Sequence, residues 1–360
     1  MEIQKRDVAV IAASVVGSLL MALAMPYIAP PRLRVGALAP CQCPQPTPVP
    51  SANVPLGIQQ TQLVWTNKAT IDATYQAIAK DLPGIKWLRA DIQDNDSAEA
   101  ANYVEELRQI HAMGAKALAM SSITAGDVGG GTFPYPLSKC DPAKVAARYT
   151  TYINAAKAAG QTIEAFEIGN ELDTTGFNSD SPANVALFVQ SYGAFLNAAI
   201  GAIRAGMPTA KIITVGFANE MSYDPSGHLA NPPAALAQLK SWNGQNLLAK
   251  VDGYGMHVYP TPDNIAGWTQ AIFAQYQAAG ISDKPIWITE WGFHRAAFPY
   301  NGQPRSWADA QWLAHVQAYK GLSFAATFLF DFDGDGGDYD IFDGSALRQD
   351  EASVIVNWNK

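Results

Sequence analysis

Short apolar runs alternate with longer stretches of helical spacing from residue 54 to residue 358. The runs Val54–Ile58, Ile85–Ile92, Lys116–Ile123, Thr162–Glu171, Lys211–Phe217, Val251–Tyr259, Pro285–Trp291 and Ser323–Phe332 predict eight strands. Between them the spacing predicts helices over Ile71–Leu82, Ala98–Met113, Pro233–Ala249, Asp263–Ala279 and Trp307–Gly321. Asp141-Pro142 and Ser181-Pro182 read as two further helix starts, because proline suits the first turn and cannot donate there anyway. A terminal helix is expected over Ala352–Trp358. Eight strands each followed by a helix predict a (β/α)8 barrel. A doubly wound sheet would want a glycine-rich phosphate turn after its first strand, and Gly57-Ile58-Gln59-Gln60 is not one. Gly129-Gly130-Gly131 opens no helix and reads as a loop.

The N-terminus breaks this pattern. Lys5 and Arg6 precede an apolar run from Val8 to about Ala29, long enough to span a bilayer. Residues 1–31 are therefore expected to be a signal anchor, or a signal peptide cleaved after Ala22-Leu23-Ala24. Residues 32–54, rich in proline, read as a semi-extended linker, and 55–360 as the barrel. This order predicts an extracytoplasmic domain, tethered to the membrane through its N-terminal segment or secreted, and monomeric in its catalytic part. Cys41, Cys43 and Cys140 are too few for a disulfide framework or a zinc site, although one bridge to Cys140 stays open. A net charge of −8 argues against a nucleic-acid partner.

Polar residues gather at the ends of the predicted strands, where such a barrel carries its chemistry. These ends hold Arg89 and Asp91, then Glu167, Asn170 and Glu171, then Asn219 and Glu220, then His257 and Tyr259, then Glu290 and Trp291, then Asp331 and Asp333. With a side-chain period of two, Glu171 shares a face with Glu167 and Gly169, and Glu290 with Ile286 and Ile288. If those faces look inward, Arg89, Glu171, His257, Tyr259 and Glu290 converge on the barrel axis. Two carboxyl groups flanking a glycosidic bond can divide its cleavage between them.

These motifs resemble those of the clan A glycoside hydrolases, barrels with two glutamates on strands four and seven. Asn170-Glu171 is similar to that clan's acid/base motif and Thr289-Glu290-Trp291-Gly292 to its nucleophile motif, while Arg89 and His257-x-Tyr259 match supporting positions. The match covers residues 55–345, closest to family 39-like and family 5-like enzymes. It implies a retaining hydrolase cutting β-linked polysaccharide within the chain, on an extracytoplasmic or exopolysaccharide substrate, without cofactor or metal. Glu171 would be the acid/base and Glu290 the nucleophile. Asn170 would bind the hydroxyl beside the reacting carbon, Arg89 and Tyr259 would hold Glu290, and His257 would touch substrate or tune the carboxylates. A tryptophan common at the end of strand eight is replaced here by Phe328-Leu329-Phe330-Asp331, so Trp291 is the expected sugar-stacking surface. Trp65, Trp87, Trp242 and Trp307 are weaker candidates for that use.

Other readings of the same residues stay open. Glu167 suits an interior structural partner, and Glu220 repeats the Asn-Glu pair as a decoy or subsite residue. Asp331–Asp340 resembles half of a calcium loop, but Phe342 stands where its glutamate would be. The same barrel could also be a non-catalytic sugar-binding protein, or a transglycosidase using the same intermediate.

Overall fold

The computed structural model describes residues 53–60, 63–180, 184–218, 229–332, 339–341 and 348–360. The expected anchor or signal, Cys41 and Cys43, most of the linker, Glu220 and most of the calcium-like loop lie outside the described residues.

Eight parallel strands alternate with helices: β1 Leu56–Gln60, α1 Lys68–Asp81, β2 Trp87–Ile92, α2 Ser97–Ala112, β3 Lys116–Ser121, α3 Pro142–Ala158, β4 Ala165–Asn170 and α4 Val185–Gly206. The second half continues with β5 Lys211–Gly216, α5 Pro232–Ala237, β6 Tyr254–Val258, α6 Ile265–Ala278, β7 Ile286–Trp291, α7 Arg305–Ala318, β8 Phe324–Leu329 and α8 Gln349–Trp358. The sheet runs β5-β4-β3-β2-β1-β8-β7-β6. Its two outer strands meet through the Ile213–Gly253 bridge and the bonds Asp252 N to Ile212 O (2.7 Å) and His257 N to Phe217 O (3.0 Å). The result is a (β/α)8 barrel.

Local chemistry accounts for most element boundaries. The Asp141 side chain caps α3 by accepting from Ala143 N, with Pro142 in the first turn as expected. The helix expected from Ser181-Pro182 instead begins at Val185, capped by Asn184 accepting from Leu187 N. The helix expected over Pro233–Ala249 is α5 followed by two short 3-10 turns, Gln238–Ser241 and Leu247–Lys250. Asn243 (φ 45°) and Gly244 (φ 75°) adopt left-handed backbone between those turns, a conformation no continuing helix allows. Helix α4 is the one described helix long and apolar enough to cross a membrane. Half of its apolar window is buried within the protein, as suits a barrel helix.

The core has two parts. Outward residues such as Leu88, Phe166, Met256 and Ile288 pack under the helices. Inside the barrel, Trp87, Leu118, Ala165, Ile213, Trp287, Ala326 and Phe328 form a separate apolar layer. Trp87 lies edge-on to Trp287, their ring centroids 5.0 Å apart. Trp87 is thus a barrel plug rather than a sugar platform. Further along the strands the inward positions become Gln59, Arg89, Glu167 and His257, all buried. This apolar layer closes one end of the barrel and leaves the polar layer facing the other.

Candidate active site

Arg89 on β2 organises the polar layer. Its Nε donates to Glu167 Oε2 (2.6 Å), Nη1 to Glu290 Oε1 (2.6 Å) and Nη2 to Asn170 Oδ1 (2.7 Å). Nη1 also donates to Gln59 Oε1 on β1, a partner that the sequence motifs did not single out. A planar guanidinium can serve divergent acceptors at once, which an ammonium on a flexible stem cannot do as rigidly. With Asn170 Oδ1 accepting from Arg89, the amide nitrogen of that residue can donate to a ligand.

Glu290 reaches this layer by a local irregularity. Strict alternation would place it with Ile286 and Ile288, and those two residues pack outward under the helices. The β6–β7 register shifts, with Met256 opposite Ile288 but His257 opposite Glu290. The extra residue, Thr289, also turns inward and donates to Glu167 Oε1 (2.6 Å). This bulge moves Glu290 to the inner face and corrects the expected face-sharing. Trp291 consequently points out. It is fully buried and stacks on Trp312 of α7, centroids 4.3 Å apart and planes 19° from parallel. The expectation that Trp291 stacks on sugar is therefore corrected: it belongs to the strand–helix core.

Glu171 follows the last residue of β4. Its backbone N still donates to Gly216 O (2.9 Å), while its φ of 49° turns the chain out of the strand. A non-glycine residue in left-handed backbone is uncommon and costs about 1–3 kcal/mol, a strain typical of functional positions. The turn replaces the simple shared face expected with Glu167.

The carboxylates meet around His257. Its Nδ1 lies 2.9 Å from Glu171 Oε1 and 3.4 Å from Glu290 Oε2, and its Nε2 lies 3.6 Å from Glu167 Oε1. Tyr259 donates its hydroxyl to Glu290 Oε2 (2.5 Å). One oxygen each of Glu171 and Glu290 and one ring nitrogen of His257 all lie within 4.8 Å of one another. Gly216 makes the room: a Cβ there would meet His257 Nε2 at 2.3 Å and Glu167 Oε1 at 2.4 Å.

Electrostatics separates the groups. Burial pushes Glu171 above the usual carboxylate range, and the charge of Glu290 adds to this against the opposing His257. Burial also raises Glu167, but Arg89 and His257 outweigh it and hold that carboxyl below the usual range. Burial disfavours a charged His257, yet Glu290 and the contacts with Glu167 and Glu171 raise it to about 10. The side chain of Glu171 is 17% exposed and that of Glu290 5%, so the Glu171 carboxyl lies nearer the opening. The Glu171, His257 and Glu290 set is the one described group with metal-ligand proximity. Both oxygens of Glu290 already accept from Arg89 and Tyr259, so the set is arranged as a hydrogen-bonded carboxylate pair.

Phe330 and Tyr339, which the motifs did not single out, line the same region. Tyr259 meets Phe330 edge-on at 6.1 Å and Tyr339 at 5.3 Å. Phe330 follows β8, where the related barrels' tryptophan was expected to be missing.

No known family profile and no curated protein matches the sequence. Solved structures do. An endo-β-1,4-mannanase from Thermotoga petrophila superposes with a TM-score of 0.55 at 15% identity, covering 86% of this chain and 77% of that one. A glycoside hydrolase family 30 subfamily 8 xylanase from Clostridium acetobutylicum gives 0.54 at 15% identity, covering 86% and 72%. A family 39 glycoside hydrolase from Bacteroides cellulosilyticus gives 0.56 at 16% identity, covering 85% of this chain and 64% of that one. This chain thus shares its (β/α)8 fold with a mannanase, a xylanase and a family 39 glycoside hydrolase.

Proposed function

We propose that this protein is a retaining glycoside hydrolase acting on a β-linked glycan. The approach of one Glu171 oxygen to within 4.8 Å of one Glu290 oxygen carries the reading. Retaining enzymes hold their carboxyl groups roughly 5–5.5 Å apart, whereas inverting enzymes need about 6.5–9.5 Å to admit a water. Glu290 attacks the anomeric carbon, held by Arg89 and Tyr259 against its two oxygens. Glu171 gives its proton to the departing oxygen, then takes one from the water that releases the glycosyl-enzyme. With Glu171 protonated, two buried cations, Arg89 and His257, face two carboxylates, Glu167 and Glu290. That balance favours an acid at 171. Asn170 Nδ2 is placed for the hydroxyl beside the reacting carbon, and Phe330 with Tyr339 takes the sugar-wall role expected of Trp291.

The mannanase and xylanase likenesses favour a β-linked polysaccharide as substrate, cut within the chain. The apolar segment at 8–29 and the proline-rich linker favour an extracytoplasmic location, membrane-tethered or secreted. The test is a polysaccharide panel with product sizing, run on the wild type and on Glu290→Gln. Turnover should disappear in the variant while glycan binding persists, and an activity-based probe for retaining nucleophiles should label only the wild type. Near-normal turnover by Glu290→Gln defeats the proposal.

A further inference from the structure

A cavity of about 430 Å³ lies between the starts of α7 and α8, away from the carboxylate site. This is within the range of roughly 300–1,000 Å³ typical of ligand pockets. Arg295, Arg305 and Arg348 line it, with Phe298, Pro299 and Pro304 as an apolar wall and Asp350 and Glu351 opposite. None of these residues takes part in the carboxylate site.

Arg305 is the informative member. It is 3% exposed, and none of its three guanidinium nitrogens has a hydrogen-bond partner. Its nearest carboxylates, Asp309 Oδ1 at 3.9 Å and Glu351 Oε2 at 3.7 Å, are beyond hydrogen-bond range. Both oxygens of Asp309 and Oε2 of Glu351 are also buried without partners. Leaving buried charged groups unbonded is expensive, so such a cluster is completed by something that enters it. The start of α7 points the same way. Pro304 makes no side-chain cap at α7 and no acidic residue lies in that helix's first turn, so its amide end favours negative charge; Arg348 makes no cap at α8 either, where Asp350 and Glu351 already lie in the first turn.

The ligand must meet four conditions. It needs a planar anionic group for Arg305 and Arg348, because arginine forks match carboxylates in two-point contact. Hydroxyl donors are needed for Glu351, which lines the cavity with Oε2 unbonded. An apolar face must lie against Phe298 and Pro304, and the whole must be larger than a simple anion to fill the space. We propose that this cavity binds a sugar carrying a carboxylate, a uronic acid unit. The sugar part of this inference rests on the glycosidase reading, while the anionic part stands on Arg305 alone.

Titration calorimetry of the full protein with glucuronate, glucose and acetate at fixed ionic strength tests it. Glucuronate should bind at least 10-fold tighter than either comparison ligand. Arg305→Gln should weaken it at least 10-fold, and Arg348→Gln, at a half-buried position, should do the same with an unchanged thermal midpoint. Glu290→Gln should bind glucuronate as the wild type does. Acetate or glucose matching glucuronate, an absence of glucuronate binding, or full binding by Arg348→Gln overturns the proposal. Turnover surviving in Glu290→Gln would instead remove the glycosidase reading and leave the binding result standing.

Discussion

Replacing Arg89 with methionine tests the organisation of the polar layer most directly. Methionine keeps much of the side-chain length and removes the charge and every donor. Glu167 and Glu290 then lose contacts of 2.6 Å each, and Asn170 one of 2.7 Å, inside a layer where Arg89 and Glu167 are fully buried. Removing one partner of a buried ion pair costs about 3–5 kcal/mol, because the remaining charge is left uncompensated. For a domain of this size, a loss of that order lowers the melting temperature by roughly 6–10 °C at about 2 °C per kcal/mol. Arg89→Met combined with Glu167→Gln should be at least 1 kcal/mol more stable than Arg89→Met alone, since it removes the stranded charge. Thermal and urea unfolding followed by circular dichroism, with matched kinetics on an aryl glycoside, measure both effects. A single variant within about 1 kcal/mol of the wild type would refute the account of Arg89 as the counter-charge. So would a double variant no more stable than the single one.

Three further outcomes follow. Trp291→Ala should destabilise the protein by about 3–5 kcal/mol through the lost stack on Trp312, with KM for oligosaccharide changed less than two-fold; a large KM effect without destabilisation would return Trp291 to the sugar site. Glu171→Gln should lower kcat by roughly 10²–10⁴-fold for substrates with poor leaving groups and much less for activated aryl glycosides, which need little protonation; equal losses on both would argue against an acid at 171. His257, raised from 6.5 to about 10 on folding, contributes stability that is complete below pH 6.5 and lost as pH rises through about 10. Unfolding measured from pH 6 to 10.5 should show that loss in the wild type and not in His257→Gln.

Much of the fold was legible in the chain itself. Apolar runs such as Lys211–Phe217 mark strands because both faces are covered, and Asp141-Pro142 marks a helix start because capping is a local hydrogen bond. The convergence of Arg89, Glu171, His257, Tyr259 and Glu290 was also legible, because a barrel brings strand ends to one mouth whatever their separation in sequence. Register and packing between distant elements were not. The bulge at Thr289 depends on how β7 meets β6, and no residue near it announces the slip. Trp291 reads as a sugar platform in the sequence, whereas in the fold Trp312 of α7 lies against it. Likewise Arg305 and Arg348 carry no motif, and they share a cavity only because two helices begin side by side. Sequence alone determines hydrogen bonding and burial along one segment. Which face of that segment meets which neighbour is a property of the assembled barrel, set by contacts that cross most of the chain.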